Sequence, residues 1–327
     1  MVPNLPRRNF LQLVGCTAAI STVSRITRAE VYPARHVRLM VGFSAGGVVD
    51  TLARLIGQWL SERLRQPFVI ENRVGAGGNI ATEAVVRASP DGYTLLMINM
   101  PHVINPALYD KLNFNFVRDI VPAASIMRAP GLMVVNPSVP AKTVPEFIAY
   151  VKANPGIINM ASAGRGTTGH VFGELFKSMT GLNMVHVPYR GGAPAITDLL
   201  SGQVHVYFGP ILESIEHVRV GKLCPLAVTT AERVEILADI PSIAEFVPAY
   251  EASGWHGVGV PTNTPREIVE KLNSEINAAL SDPQMKARLI DLGGTALPGT
   301  TAEFTKYIAD ETEKWAKVIK FAGLKPE

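Results

Sequence analysis

Cysteine is scarce: the 327 residues contain two, Cys16 and Cys224. A multi-disulfide scaffold and a cysteine-based metal centre are excluded, so stability must come from buried apolar surface. Histidines are few, and His170 and His186 are not at metal-ligand spacing. No Cys/His/carboxylate cluster is present, and neither metal nor cofactor is expected. The glycines of Gly75-Ala76-Gly77-Gly78-Asn79 do not fit G-x-G-x-x-G, which removes the dinucleotide fingerprint. Charged residues make up 18% and hydrophobic ones 47%, a balance that suits a folded globular chain rather than a disordered one. Apart from residues 11–23 there is no long apolar run, no low-complexity block and no short-period repeat.

That apolar run belongs to an address. Arg7-Arg8-Asn9-Phe10-Leu11 is a twin-arginine pattern, and the run after it is too short and too rich in Ser and Thr to span a bilayer. Thr27-Arg28-Ala29 offers small residues for a cut after Ala29, and a twin-arginine signal is read by a receptor rather than retained as an anchor. Leu13-Val14-Gly15-Cys16 resembles a lipoprotein box, but almost no apolar run precedes Cys16, so the soluble product is favoured. Cleavage removes Arg7, Arg8, Arg25 and Arg28, four of 31 basic residues against 28 acidic ones, and the formal charge falls from +3 to −1. The basic precursor therefore gives no reason to expect a nucleic-acid partner.

About 300 mature residues exceed a usual single core and imply two lobes. Val37 to Val41 is an apolar run read as a buried strand. Residues 42–47, Gly-Phe-Ser-Ala-Gly-Gly, turn into a helix whose apolar positions recur at helical spacing as far as Leu64. Strands at 67–72 and 93–99 and a helix at 80–88 follow. The glycines at 75–78 read first as a tight turn with close packing. Alternating strands and helices give a mostly parallel sheet, with ligand at the carboxyl ends of the strands. That rule puts residues 43–47 and 99–105 on one rim. A fresh run of strands starts at Leu132, after a passage containing Pro122 and Pro130. Thr143 and Glu146 form a capping pair. Ile157 to Ala161 then feeds Ser162-Ala163-Gly164-Arg165-Gly166-Thr167-Thr168-Gly169-His170, a second strand–glycine turn–helix unit with its helix over 171–179. Strands follow at 184–188, 203–208 and 226–229. Residues 253–260 form a Gly-rich crossover. Beyond it only helices are expected, one opened by Thr264-Pro265-Arg266-Glu267 and a long one over 302–322, packed on the first lobe.

Two chemistries compete at residues 42–47. Gly42-Phe43-Ser44-Ala45-Gly46 fits the G-x-S-x-G nucleophile elbow, with His170, His186 and His256 available by order. Yet the elbow would follow the first strand, so no earlier strand loop supplies an oxyanion hole. The other reading is an anion cradle. Gly46 and Gly47 let a ligand approach the backbone, Ser44 donates a hydrogen bond, and helix N–H groups supply positive potential. Asp50 suits a helix start at least as well as a ligand contact. Ser162, Gly166 and Thr167 offer the same chemistry from the second unit, with Arg165 and Arg190 as candidate counter-charges.

The chain resembles the periplasmic substrate-binding proteins of tripartite tricarboxylate transporters, the Bug receptors. The resemblance runs the length of the chain, through "YPARHVRLMVGFSAGGVVD" (32–50), "VIENRVGAGGNIATEAV" (69–85), "SPDGYTLL" (89–96), "NPALYDKL" (105–112) and "PAKTVPEFIAYVKANPG" (140–156). It continues with "ASAGRGTTGH" (161–170), "HVPYRGGAPAITDLLSGQV" (186–204), "LAVTT" (226–230) and "LNSEINAAL" (272–280). The resemblance implies an α/β, two-lobed type-II periplasmic-binding-protein clamshell with ligand in the cleft. Residues 30–128 and 252–327 would form lobe 1, 129–251 lobe 2, and 1–29 the cleaved export signal. Hinges are expected near 126–130 and 251–255. The implied function is capture of a small carboxylate and its delivery to the membrane subunits of such a transporter. The implied protein is a periplasmic monomer and not an enzyme. A ligand-presenting subunit for a signalling partner is the alternative, and a serine hydrolase with Ser44 as nucleophile a distant one. Carried over by position, one carboxylate would meet Phe43, Ser44, Ala45, Gly46, Gly47 and Asp50 on one side. Ser162, Gly164, Gly166, Thr167 and His170 would meet it on the other. The ligand's far end would meet Met100, His102, Arg165, Tyr189 and Phe208. Two departures stand out: Ser44 replaces the common Pro or Ala, and Cys224-Pro225 replaces the common Arg-Ala.

Overall fold

The computed structural model describes residues 32–109, 111–189 and 191–324. Arg35 onward groups as the larger of two compact units. The expected export signal, Cys16 and Arg190 lie outside the described residues. No described helix is long and apolar enough to cross a membrane.

The large unit opens as strand β1 (Val37–Val41), helix α1 (Val48–Leu64), β2 (Phe68–Asn72), α2 (Asn79–Val86), β3 (Thr94–Asn99), α3 (Pro101–Leu108) and α4 (Phe116–Asp119). Next come β4 (Ile120–Val135), α5 (Val144–Ala153), β5 (Asn159–Ser162), α6 (Thr168–Thr180), β6 (Val185–Pro188), α7 (Gly192–Ser201), β7 (Val206–Pro210), α8 (Ile211–Arg219) and β8 (Cys224–Val228). The chain closes with β9 (Ser253–Pro261), α9 (Arg266–Ser281), α10 (Pro283–Asp291), β10 (Thr295–Ala296) and α11 (Thr301–Ala322).

The strands run in the order β2-β1-β3-β9-β4-β7-β5-β6, with β8 and β10 also paired to β4. β1, β2 and β3 are parallel, as are β5, β6 and β7, while β9 and β4 run antiparallel to their neighbours. All of β3 is buried, as a central strand covered on both faces requires.

The long strand β4 corrects the expectation that strands resume at Leu132. Its first part pairs with β9 as far as Pro130↔Ser253, and from Gly131 it pairs with β7. Both prolines fall where the ladder is already broken. Pro122 sits at a register shift against β9, and Pro130 at the change of partner. Proline lacks an N–H and is tolerated in a strand at such points. The hinge expected near 126–130 therefore coincides with the place where one strand passes from one set of partners to the other.

The tail brings three further corrections. A short strand, β10, pairs with β4. Helix α9 starts after Pro265 with no side-chain cap, because the Thr264 hydroxyl donates to the Pro261 carbonyl instead. Helix α11 packs on α3 and also on α6, so it bridges both parts of the sheet rather than covering the first alone. Its ends are set by a Thr300–Glu303 capping box and by Gly323 in the left-handed region, the usual stop and start signals. Phe304, Ile308, Trp315 and Ile319 lie along its buried face, at the spacing of an amphipathic helix.

Candidate ligand-binding site

The first loop, residues 42–47, is held by its own helix. A Cβ at Gly42 would lie 2.6 Å from the Gly78 Cα, so two glycine turns meet backbone to backbone and no side chain fits there. The turn at 75–78 is thus a packing turn against the first loop. The Asp50 carboxylate reaches back from the first turn of α1. It accepts hydrogen bonds from the Gly46 N–H (2.9 Å), Arg54 Nε (2.9 Å) and Asn72 Nδ2 (2.9 Å). Asn72 Nδ2 also donates to the Phe43 carbonyl at 3.0 Å. Asp50 is buried and its oxygens are occupied, so it shapes the loop rather than meeting an anion.

The Arg54 hydrogen bond, with help from Gly46 and Asn72, lowers the Asp50 pKa from 3.8 to about 2. The depressed folded value means the contribution is complete above the unfolded value and lost as pH falls through the folded one. It amounts to about 2 kcal/mol. Asp50→Asn is therefore expected to be about 2 kcal/mol less stable at pH 7 by urea unfolding, with the gap closing as the pH falls from 4 towards 2. A gap of unchanged size at low pH would rule out the carboxylate charge as its source.

The second loop, residues 163–167, rests on buried polar groups. Ser162 Oγ donates to the Gly164 carbonyl (3.0 Å), accepts the Gly164 N–H (3.2 Å) and lies 2.7 Å from His186 Nε2. His170 Nδ1 accepts the Gly166 N–H at 3.0 Å, and its Nε2 lies 3.7 Å from Glu174 Oε1. The His170 and His186 rings stack with centroids 3.5 Å apart. Burial, then the neighbouring His170, pushes His186 down to about 3, so it is neutral at pH 7. The Thr167 hydroxyl donates to the Gly164 carbonyl at 2.7 Å and is spent within the loop.

Neither α1, entered from Gly47, nor α6, entered from Thr167, has a side-chain cap. Their first-turn N–H groups are therefore open to a ligand. Val48 and Val49 from α1 and Thr167 and Thr168 from the second loop and α6 line one cavity of about 350 Å³. Its other walls come from Phe43, Asn99, Met100 and Pro101, and from Phe172 on α6. Residues 129–131, 210–213, 254–256 and 292–293 close it. Gly166 backs onto Leu108 of α3, so the second loop touches the first part of the fold.

Of the residues expected to contact ligand, Phe43, Met100 and Thr167 line this cavity. The others are placed elsewhere. Ser44 and Gly47 are exposed beside it, and Ala45, Gly46 and Asp50 border a shallow outer hollow with Arg54. Ser162 and His170 lie beneath the second loop, and Gly164 and Gly166 form its backbone. Arg165 is exposed. The Tyr189 hydroxyl donates to Asp198 at 2.7 Å; burial and that carboxylate raise the phenol to about 12. Phe208 is fully buried, with its ring against Phe176 at 5.4 Å. His102 is buried against Phe116 with Nδ1 2.8 Å from Asn99 Oδ1, and burial lowers it to about 4.

Sequence reasoning missed Val48, Val49, Thr168, Phe172, Glu213 and Leu292 as lining residues. The first three carry a usable signal, since the open N–H groups of a helix belong to the residues just after its glycine loop. Glu213 follows the carboxyl end of β7, where the strand-end rule also points. No histidine is hydrogen-bonded to Ser44 among the described residues, so no nucleophile–base pair forms at the elbow.

Uncapped helix N-termini bordering one partly open, mostly apolar cavity in an α/β fold are an arrangement suited to holding an anion. Comparison with known proteins agrees. Residues 52–324 match the family described as the tripartite tricarboxylate transporter family receptor, TctC. The chain belongs to that family. It is 33% identical over 319 residues to protein BugT of Bordetella pertussis, covering 97% of this chain and 98% of that protein. Among solved structures it is similar to R. palustris Rpa4515 with adipate, at 38% identity and a TM-score of 0.77, covering 90% of this chain and 100% of the other. MatC (Rpa3494) from Rhodopseudomonas palustris with bound malate matches at 31% identity and a TM-score of 0.72, covering 88% of this chain and 100% of the other.

Proposed function

We propose that the protein is an extracytoplasmic solute receptor that captures a small carboxylate and delivers it to membrane subunits of a tripartite tricarboxylate-type transporter. The observation that carries this reading is the pair of uncapped helix N-termini opening on one cavity. Such N–H groups bind a carboxylate without a formal positive charge. Adipate and malate in the two related structures support the ligand class.

In this mechanism no bond is made or broken. The first loop and α1 receive the carboxylate, and the second loop and α6 close over it. The change of partner in β4 at Pro130–Gly131 and the return crossing near 251–255 serve as hinges between the two lobes. Ligand shifts the open–closed balance through contacts made more strongly in the closed state. The twin-arginine segment supports export to the periplasm.

A thermal-shift screen of the purified protein against di-, tri- and aromatic carboxylates tests this. A true ligand at 100 times its Kd is expected to stabilise the fold by about 2.7 kcal/mol, without turnover. No stabilisation by any of these acids would sink the carboxylate reading, and ester hydrolysis lost in Ser44→Ala would replace it with the elbow chemistry.

A further inference from the structure

Beneath the second loop lies a pair of imidazoles that the capture of ligand has not used. The His170 and His186 rings stack with centroids 3.5 Å apart and planes 7° from parallel. Each ring holds one part of the loop above it. His186 Nε2 lies 2.7 Å from Ser162 Oγ, which accepts the Gly164 N–H. His170 Nδ1 accepts the Gly166 N–H at 3.0 Å. Gly166 stands just before the start of α6 at Thr168, and Thr167 and Thr168 line the cavity. Gly164 and Gly166 are at positive φ, 139° and 71°. Glycine passes between positive and negative φ at little cost, so the shape of the loop depends on these hydrogen bonds.

The acceptor on His170 exists only while Nδ1 carries no proton. In the imidazolium form both ring nitrogens are donors, and Nδ1–H would face the Gly166 N–H, donor against donor. The surroundings favour one charge, on the His170 side of the stack. His170 Nε2 is 3.7 Å from Glu174 Oε1, a carboxylate that is also 2.8 Å from Lys177 Nζ. His186, pushed down to about 3 by burial and then by His170, stays neutral, since two stacked imidazoles resist a second charge. Arg165 in the loop also acts on the pair. Of the elements packed on α6, β5 brings Ser162 and no ionisable group. β7 brings Tyr207, whose hydroxyl is tied to Glu213. The charges of α11, Asp310, Glu313, Lys314 and Lys317, border α6 farther along, beside Leu175 and Ser178. α3 meets the loop through Leu108, against Gly166.

We propose that His170 is a positioning residue that makes carboxylate capture sensitive to pH: a proton on its imidazole withdraws the acceptor from the Gly166 N–H, the second loop loosens, and affinity falls as the solution is acidified. This rests on the carboxylate-receptor reading above and adds a control to it.

Calorimetric titration of the purified protein with adipate and with malate, at about pH 8 and about pH 6, tests it. That window crosses the ordinary titration range of imidazole and leaves acids that ionise near about pH 4 charged. The affinity of the acid that binds is expected to fall about threefold or more at the lower pH. His170→Asn keeps a side-chain acceptor near the place of Nδ1 and cannot gain a proton, so its affinities at the two pH values are expected to agree. His186→Gln keeps a partner for Ser162 Oγ and is expected to retain the fall. An unaltered protein with equal affinity at both pH values overturns the proposal and leaves the carboxylate-receptor reading standing. So does a folded His170→Asn protein that keeps the fall. Hydrogen–deuterium exchange of residues 163–167 in the ligand-free, unaltered protein needs neither a variant nor an acid. Protection there, taken relative to an unfolded chain at the same pH, is expected to drop about threefold or more at the lower pH, and constant protection overturns the proposal. Failure of both acids to bind counts against the receptor reading and not against the His170 anchor, which the exchange measurement decides alone.

Discussion

Replacing Trp255 by alanine is expected to lower the unfolding free energy by about 3–5 kcal/mol and to abolish ligand-dependent stabilisation. Trp255 is fully buried on β9, opposite Arg128 of β4, within the crossing between the two parts of the sheet. Its ring meets Phe304 and Tyr307 of α11 edge-on, at centroid distances of 5.7 and 6.0 Å, an arrangement that adds to simple burial. Its indole N–H donates to Glu311 Oε2 at 3.3 Å. That carboxylate also accepts from Trp315 Nε1 at 2.8 Å and is paired with Lys314, which reaches Glu251 at 2.9 Å. Alanine leaves a cavity, deprives Glu311 of a donor and removes a wall of the binding site. Trp255→Phe keeps most of the ring and is expected to recover much of the stability. Equilibrium unfolding with and without a bound acid measures both effects. A Trp255→Ala protein of unchanged stability would mean that this crossing is not part of the cooperative core.

Gly169→Ala is the second large change. Gly169 lies in the first turn of α6, and a Cβ there would be 2.1 Å from the Phe208 carbonyl oxygen. That oxygen belongs to the backbone of β7, so the helix has to move. The overpacking is expected to cost about 1–3 kcal/mol. The moved residues include Thr168, whose N–H is among those open to ligand. Carboxylate affinity is expected to fall by about tenfold or more, the worth of a hydrogen bond to a charged group. The Ala at 169 adds one methyl group and no charge, so a loss of affinity reports on helix placement. Titration of the folded variant checks it, and unchanged affinity would detach the α6 N-terminus from binding.

The placement of residues 42–50 and 162–170 shows how far the sequence carries. Both strand–glycine turn–helix units are local, so periodicity and glycine spacing revealed them. The helix of the second unit starts at Thr168 rather than at Val171. That shift takes His170 out of the loop and into a buried first turn. Side-chain direction was less legible. Ser162, His170 and Asp50 have the chemistry of ligand contacts but spend it on their own loops. Ser162 and His170 stabilise backbone N–H groups at Gly164 and Gly166, and Asp50 holds that of Gly46. A sequence shows which groups can hydrogen-bond, but the partner nearest in space decides which bond forms.

The sequence by itself determined most of the elements, the two glycine loops and the family, because each of these depends on neighbours within about a dozen residues or on motifs in order. Tertiary structure decided the cavity wall. Phe172, Glu213, Trp255 and Leu292 come from four distant elements, brought together where β4 exchanges one partner for another and β9 returns beside it. Their convergence depends on long-range strand pairing, which no local pattern encodes. The two glycine loops were therefore readable in the chain, while the cavity wall beside them exists only in the fold.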